Sequence, residues 1–218
     1  MARYLPLFPI NTVLFPGANL QLRIFEPRYK TMLKECLDGD RRFGVVLIKS
    51  GVEAGGPAEP HPVGTVARIE SIGAPTRSGL PLDVVGERRF RVVSLDRSKA
   101  FLAAQVEPFD DLETLAPPSD LVRYARQATR RFISLMLAAR GVWRAGLEAP
   151  DDPMALSFFM GVAATEAPEK ARQKLLESDS LARRLQAGIA LLEEEGERMR
   201  PEIMRAGPGA QESRFSSN

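Results

Sequence analysis

Apolar residues recur along the chain with two different spacings, and the change falls near Pro117-Pro118. Before it, short β-branched or aromatic runs alternate with Gly and Pro, the pattern of small antiparallel strands joined by turns. It predicts strands at Tyr4 to Leu7, Leu20 to Ile24, Phe43 to Ile48, Gly64 to Ile72, Leu82 to Val85, Arg88 to Leu95 and Phe101 to Val106. About seven strands in about 110 residues predict a closed or nearly closed barrel, because closure removes the exposed edges that open sheets must protect. One helix interrupts this region. Pro27 suits its first turn, Glu26 suits the positive end of its dipole, and Tyr29, Met32, Leu33, Cys36 and Leu37 fall on one face before Gly39 ends it. The segment Gly51 to Pro62 is rich in Gly and Pro and reads as an exposed connection, with His61 a solvated loop residue lacking an evident partner.

After Ser119 the spacing becomes helical. Ser119 or Asp120 is suited to cap a helix from Leu121 to about Ala139, with Val122, Ala125, Thr129, Phe132, Ile133, Met136 and Leu137 as its apolar stripe and Gly141 as its stop. Asp151 or Asp152 caps a second helix that has Pro153 in its first turn. A short third helix falls within Glu166 to Glu177, and a fourth starts near Ser180 and carries Leu181, Leu185, Ile189, Leu192 and Met199 on one face. The fold expected is α+β: an antiparallel β-barrel over residues 1–116, a helical bundle over 117–206 and a disordered tail over 207–218.

Composition adds mainly exclusions. The 44% hydrophobic and 27% charged residues are ordinary for a globular protein. Residues 1 to 115 carry 15 basic and 14 acidic groups, leaving 15 and 14 for the remainder, so neither half is a polyanion-binding domain by bulk charge. With one Cys and one His, an internal disulfide and a Cys/His zinc site both lack their partners. A reducing, cytoplasmic setting without membrane insertion is expected, since Pro6 and Pro9 break the opening apolar run and no long apolar stretch follows.

Most catalytic chemistries lack their residues. A Ser-His or Cys-His nucleophile would have to use His61 in a mobile connection, and Cys36 on an apolar helical stripe reads as a core residue. The glycines at 51, 55 and 56 lead into Pro57 and Ala58 rather than Lys and a hydroxyl residue, which excludes a phosphate-cradling loop. Lys49 and Ser50 are strand neighbours and point to opposite faces, so they form no dyad. The acidic pairs Asp110-Asp111 and Asp151-Asp152 sit at element boundaries, where turn formation and capping account for them. No cofactor is expected.

Between Leu121 and Leu147 lie six arginines and no acidic residue, and Arg123, Arg126 and Arg130 share a helix face. Such a face can bind phosphates, with Tyr124 or Trp143 available for stacking. The competing expectation is a solvated charge network with Glu193, Glu194, Glu195 and Glu197 of the last helix.

The opening Leu5-Pro-Leu-Phe-Pro-Ile-Asn-Thr-Val-Leu-Phe-Pro-Gly, followed by Leu22-Arg-Ile-Phe-Glu-Pro-Arg-Tyr29, resembles the start of the amino-terminal, substrate-binding domain of the ATP-dependent Lon protease family. Phe43-Gly-Val-Val-Leu-Ile48, Val63-Gly-Thr-Val-Ala67, Gly86-Glu-Arg-Arg-Phe-Arg-Val92 and Lys174-Leu-Leu-Glu-Ser-Asp179 resemble further blocks of that family in the same order. The resemblance covers residues 4 to about 200 and implies a PUA-like β-barrel followed by a helical bundle. Lon also has an ATPase module and a Ser-Lys protease module, neither of which is represented here, so a stand-alone substrate-binding domain is expected. The resemblance implies a non-enzymatic polypeptide-binding module, an adaptor or chaperone-like protein, with unfolded or extended polypeptide segments as partners and a protease or chaperone as a further partner. A groove between barrel and bundle is expected at Phe25, Glu26, Arg28 and Tyr29, with strand addition at an uncovered barrel edge as a further mode. RNA binding through Arg123, Arg126 and Arg130 is the alternative.

Overall fold

The computed structural model describes residues 3–53, 58–112, 115–139 and 148–206. Its elements run β1 (Arg3–Ile10), β2 (Asn19–Ile24), α1 (Pro27–Asp38), β3 (Arg42–Gly51), β4 (Ala58–Pro60), β5 (Val63–Ile72), β6 (Leu80–Asp96), β7 (Ala103–Pro108), α2 (Ser119–Ala139), α3 (Pro153–Ala163), α4 (Glu169–Glu177) and α5 (Leu181–Ala206). β1, β7, β6, β5 and β3 pair in succession, and β3 pairs back to β1, so the sheet closes into a ring. β2 is attached to this ring through β6, and β4 through β3. The pairing is antiparallel except between β1 and β3, which run parallel. A parallel pair needs a long crossover. β2 and α1 supply it, which is why one helix sits among the strands.

Both faces of β1 are buried, so its two-residue alternation sorts side chains between cores instead of between core and water. Leu5 and Leu7 join Val46, Val66, Phe90 and Val106. Phe8 and Ile10 join Ile24, Phe43, Val45 and the buried face of α1, formed by Tyr29, Met32, Leu33 and Cys36.

Two strand expectations need correction. Leu82 to Val85 and Arg88 to Leu95 are not separate strands but parts of the single strand β6. Gly86, which reads as a turn signal in sequence, is instead a point of close backbone approach: an added Cβ there would lie 2.3 Å from the Phe15 carbonyl oxygen. The Gly86 N–H donates to Ala18 O at 2.9 Å and its carbonyl accepts from Gly17 N at 2.8 Å, while the ladder to β5 shifts register beside it. The Gly51 to Pro62 connection contains the short strand β4, whose Pro60 pairs with Ile48 at the ring's margin, where a missing N–H is tolerated.

The helices follow the apolar spacing. Asp152 caps α3 by accepting from Ala155 N at 2.7 Å, with Pro153 in the first turn. α2 starts at Ser119, so Ser119 and Asp120 lie in its first turn rather than preceding it. The expected stop at Gly141, the candidate stacking residue Trp143 and the expected tail 207–218 lie outside the described residues. Among the described residues, no helix is long and apolar enough to cross a membrane.

Ring and helices share a core. Val13, Phe15, Leu47, Val63 and Phe109 belong to the same buried cluster as Phe132, Leu156, Met160, Leu175, Leu185 and Leu192. Phe15 fills a notch on α3 where Gly161 leaves room for the ring. α4 adds polar ties: Arg172 Nε donates to Gly161 O at 3.1 Å, and Gln173 Nε2 donates to Val63 O at 2.9 Å. His61 is also part of this junction, contrary to its reading as a solvated loop residue. Its N–H donates to Leu47 O, and its Nδ1 lies 3.1 Å from Glu177 Oε1 on α4. The partner is 116 residues away in sequence, too far for local pattern to reveal.

Candidate functional site

The start of α1 organises the residues expected at a binding groove. Glu26 has extended backbone angles at the helix N-terminus but forms no side-chain cap. Its carboxylate instead accepts from Arg28 Nε at 3.0 Å. Arg28 reaches further, donating to the Glu53 carbonyl at 3.0 Å and lying 4.6 Å from the centre of the Tyr29 ring. Tyr29 is buried and packs on Phe8 with ring centres 4.4 Å apart. Burial pushes its hydroxyl pKa upward; the Arg28 charge opposes this and the charges of Glu26 and Glu53 add to it. Phe25 stands apart from this cluster, with 56% of its surface exposed.

Two concavities meet here, sharing Pro9, Glu26 and Tyr29. One, of about 630 Å³, extends from the start of α1 to the Arg97–Leu102 segment. The other, of about 430 Å³, lies between β2 and the end of β1 and includes Phe25. The four expected residues all border these neighbouring concavities: Glu26 and Tyr29 line both, Arg28 the first and Phe25 the second. Their position differs from the expected groove between barrel and bundle, because every described lining residue falls between Phe8 and Leu102 and none belongs to the helical bundle. The bundle is occupied by its shared core with the ring on another side.

Sequence pattern gave no hint of the basic wall opposite α1. Lys99 Nζ donates to Glu35 Oε2 at 2.6 Å and lies over the rings of Tyr4 and Phe101. This hydrogen bond pulls the Glu35 carboxyl below its ordinary value, against partial desolvation, and raises Lys99 above its own. Arg97 pairs with Glu59 at 2.7 Å.

Arg123, Arg126 and Arg130 also border one depression, of about 760 Å³, on α2. Among the described residues, no ion pair joins these arginines to the α5 glutamates, contrary to the expected network. Arg123 pairs with Asp120 at 2.8 Å, while Arg126 reaches Asp151 across to the start of α3. Glu193 accepts from the Tyr124 hydroxyl at 2.8 Å, and Glu194, Glu195 and Glu197 pair with Arg198 or Arg200 on their own helix. Residues three or four apart on one helix meet more readily than residues on two helices.

The most deeply buried charges escaped sequence reading altogether. Asp111, read there as a turn former, has a side chain only 5% exposed and accepts two hydrogen bonds of 2.7 Å from Arg184 and one of 2.5 Å from Arg89. Burial alone would raise its pKa, but the two guanidinium groups hold it below the ordinary value. Arg184 also donates to Ser157 Oγ at 2.9 Å and lies 4.4 Å from the Phe158 ring centre. The cluster joins β6, the 109–118 connection, α3 and α5. Its polar atoms are engaged by protein, leaving a structural role. Cys36 is equally closed, its thiol pushed up to about 12 chiefly by burial. Among the described residues, no group of three or more His, Cys, Asp or Glu side chains is positioned to hold a metal ion.

A family model described as the ATP-dependent protease La (LON) substrate-binding domain matches residues 4–194. This chain belongs to that family. Lon protease from Anaeromyxobacter dehalogenans is 28% identical over 196 residues, and Lon protease 2 from Myxococcus xanthus is 29% identical over the same length. Each match covers 86% of this chain but only 23% of the relative, so the chain spans about a quarter of those proteins. A solved Lon N-terminal domain protein from Xanthomonas campestris superposes with a TM-score of 0.64 at 30% identity, covering 86% of this chain and 98% of that one. The N-terminal domain of the Mycobacterium avium complex Lon protease has the same TM-score at 18% identity, covering 88% and 99% of the two chains, and supports the fold alone.

Proposed function

We propose that this chain is a non-enzymatic polypeptide-binding module that holds unfolded or extended segments of other proteins, in an adaptor or chaperone-like role. The observation that carries the reading is the pair of neighbouring concavities lined by Phe25, Glu26, Arg28 and Tyr29, in a member of a family named for substrate binding. An exposed ring beside an apolar hollow offers burial to partner side chains. Delivery of the bound segment to a protease or chaperone is a role consistent with that family.

Titration of a fluorescently labelled, reduced and carboxymethylated protein against the purified chain tests the reading. Phe25→Ala is the cleaner probe, because Phe25 contributes little to the core. It should weaken binding about tenfold, as expected for an aromatic anchor at an interface. Tyr29→Ala should weaken it too, with some loss of stability. Unchanged affinity in both variants would remove these residues from the site. Binding through apolar burial should vary little with salt, whereas a steep decline would favour the Arg123, Arg126 and Arg130 face and RNA as ligand. Support for that second reading is thinner, since Arg123 and Arg126 already have carboxylate partners.

A further inference from the structure

The register of β2 identifies which of its backbone groups face outward. β2 pairs with β6 such that Arg23 stands opposite Pro81, Leu22 opposite Leu82 and Gln21 opposite Asp83. Pro81 has no N–H, and its carbonyl accepts from Gly73 N at 2.9 Å on the β5 side. Backbone polar groups alternate sides along a strand. Leu80, Leu82 and Val84 therefore turn toward β2 and exchange hydrogen bonds with Ile24, Leu22 and Leu20. The N–H and C=O groups of Gln21 and Arg23 consequently point away from β6. Among the described residues, β2 has no strand on that side.

The smaller concavity lies along this edge. Four consecutive residues, Leu20 to Arg23, border it, and so do five consecutive residues, Phe8 to Thr12, on the opposite wall. A sheet face presents only alternate side chains. An unbroken run on each wall means that the hollow runs beside main chain. Its floor is apolar, with Phe8, Ile10, Leu22 and Tyr29 all buried. The nearby charges balance in number, Glu26 and Glu53 against Arg28 and Arg23: Glu26 pairs with Arg28, while Glu53 accepts from Asn11 N at 3.0 Å and Arg23 donates to Ser78 Oγ at 2.7 Å. Their formal sum gives no net preference for a charged segment of either sign.

From these observations we infer that an uncharged, extended polypeptide segment adds to β2 as a further strand, pairing with the outward N–H and C=O groups of Gln21 and Arg23 and setting alternate apolar side chains into the hollow beside Phe25 and Tyr29. This inference rests on the polypeptide-binding reading above and specifies its geometry. Main-chain pairing supplies tolerance of sequence, and the hollow supplies preference for apolar residues.

The test uses the full chain with a short, end-blocked, fluorescent peptide of alternating leucine and threonine, and the same peptide N-methylated at alternate residues along one edge. N-methylation removes donors and leaves side chains intact. The expected result is that wild type binds the plain peptide and loses about tenfold or more of its affinity for the methylated one, in line with loss of edge hydrogen bonds. Gln21→Pro removes an outward donor without touching the β6 ladder, so it should fold and lose a similar factor for the plain peptide. If Gln21→Pro fails to fold, the methylated peptide still decides. Equal affinity for both peptides would overturn strand addition while leaving polypeptide binding intact. The same holds if the labelled unfolded protein binds in a Phe25-dependent manner but the plain peptide does not. Absence of binding to either probe would overturn both.

Discussion

Asp111 lies between two guanidinium groups with almost no access to water, and its removal would leave both cations buried without a counter-charge. Breaking such a group by deleting one partner costs about 3–5 kcal/mol. Asp111→Asn should therefore lower the denaturant midpoint markedly without altering peptide affinity, as measured by urea unfolding alongside titration. The pH dependence has a definite sign. The folded-state pKa of Asp111 is lowered from its ordinary value of 3.8, so its stabilisation is complete above that pH and is lost as acid takes the solution through the lower folded value. Unfolding midpoints of the wild type should fall more steeply below about pH 4 than those of Asp111→Asn. Sequence offered only a pair of acids at an element boundary. Arg184, its partner, is 73 residues away, and no local spacing connects them.

The contact between β-ring and helices turns on two glycines, Gly86 between two expected strands and Gly161 within the expected second bundle helix. Gly86 allows the Phe15 backbone to approach β6, and Gly161 accommodates the Phe15 ring itself, where an added Cβ would lie 2.2 Å from the ring carbon Cζ. Phe15 is fully buried and has little room to withdraw. Gly161→Ala should thus destabilise by about 1–3 kcal/mol, the usual range for overpacking a core, despite the higher helix propensity of alanine. Thermal denaturation of the variant checks this; a rise in melting temperature would mean that Phe15 can shift at little expense. The end of α1 and the start of α3 were legible because Gly39, Asp152 and Pro153 act through neighbouring backbone. The joined strand β6 was not, because a glycine at a close approach and a glycine at a turn look identical in one dimension.

Ring and bundle unfold together if their shared core governs stability. The cluster containing Phe15 and Leu47 also contains Leu156, Leu175 and Leu185, and Arg89, Asp111 and Arg184 tie the two parts at a second point. Calorimetric and van't Hoff enthalpies should agree for a single transition, and residues 1–116 expressed alone should lack a cooperative melt because a large apolar face would be uncovered. Two separated transitions would identify two independently stable units. The same arrangement explains why the candidate concavities lie on the ring: the side facing the bundle is filled, while on the side beside α1 no described strand covers the outer edge of β2.

Local periodicity and composition sufficed for the number and order of the helices, most of the strands, the closed sheet and the scarcity of nucleophile and metal-ligand residues, since each depends on neighbours or on counting. The family blocks around Phe25 to Tyr29 also contain residues that line the candidate concavities. Three-dimensional packing alone decided that Asp111 is a buried counter-ion, that His61 meets Glu177, that Glu193 meets Tyr124 of α2 while Glu194, Glu195 and Glu197 pair within α5, and that the backbone groups of Gln21 and Arg23 turn away from β6. Those outcomes depend on which distant chains come within hydrogen-bonding reach. That is a property of strand register and helix docking, and no window along the sequence contains it.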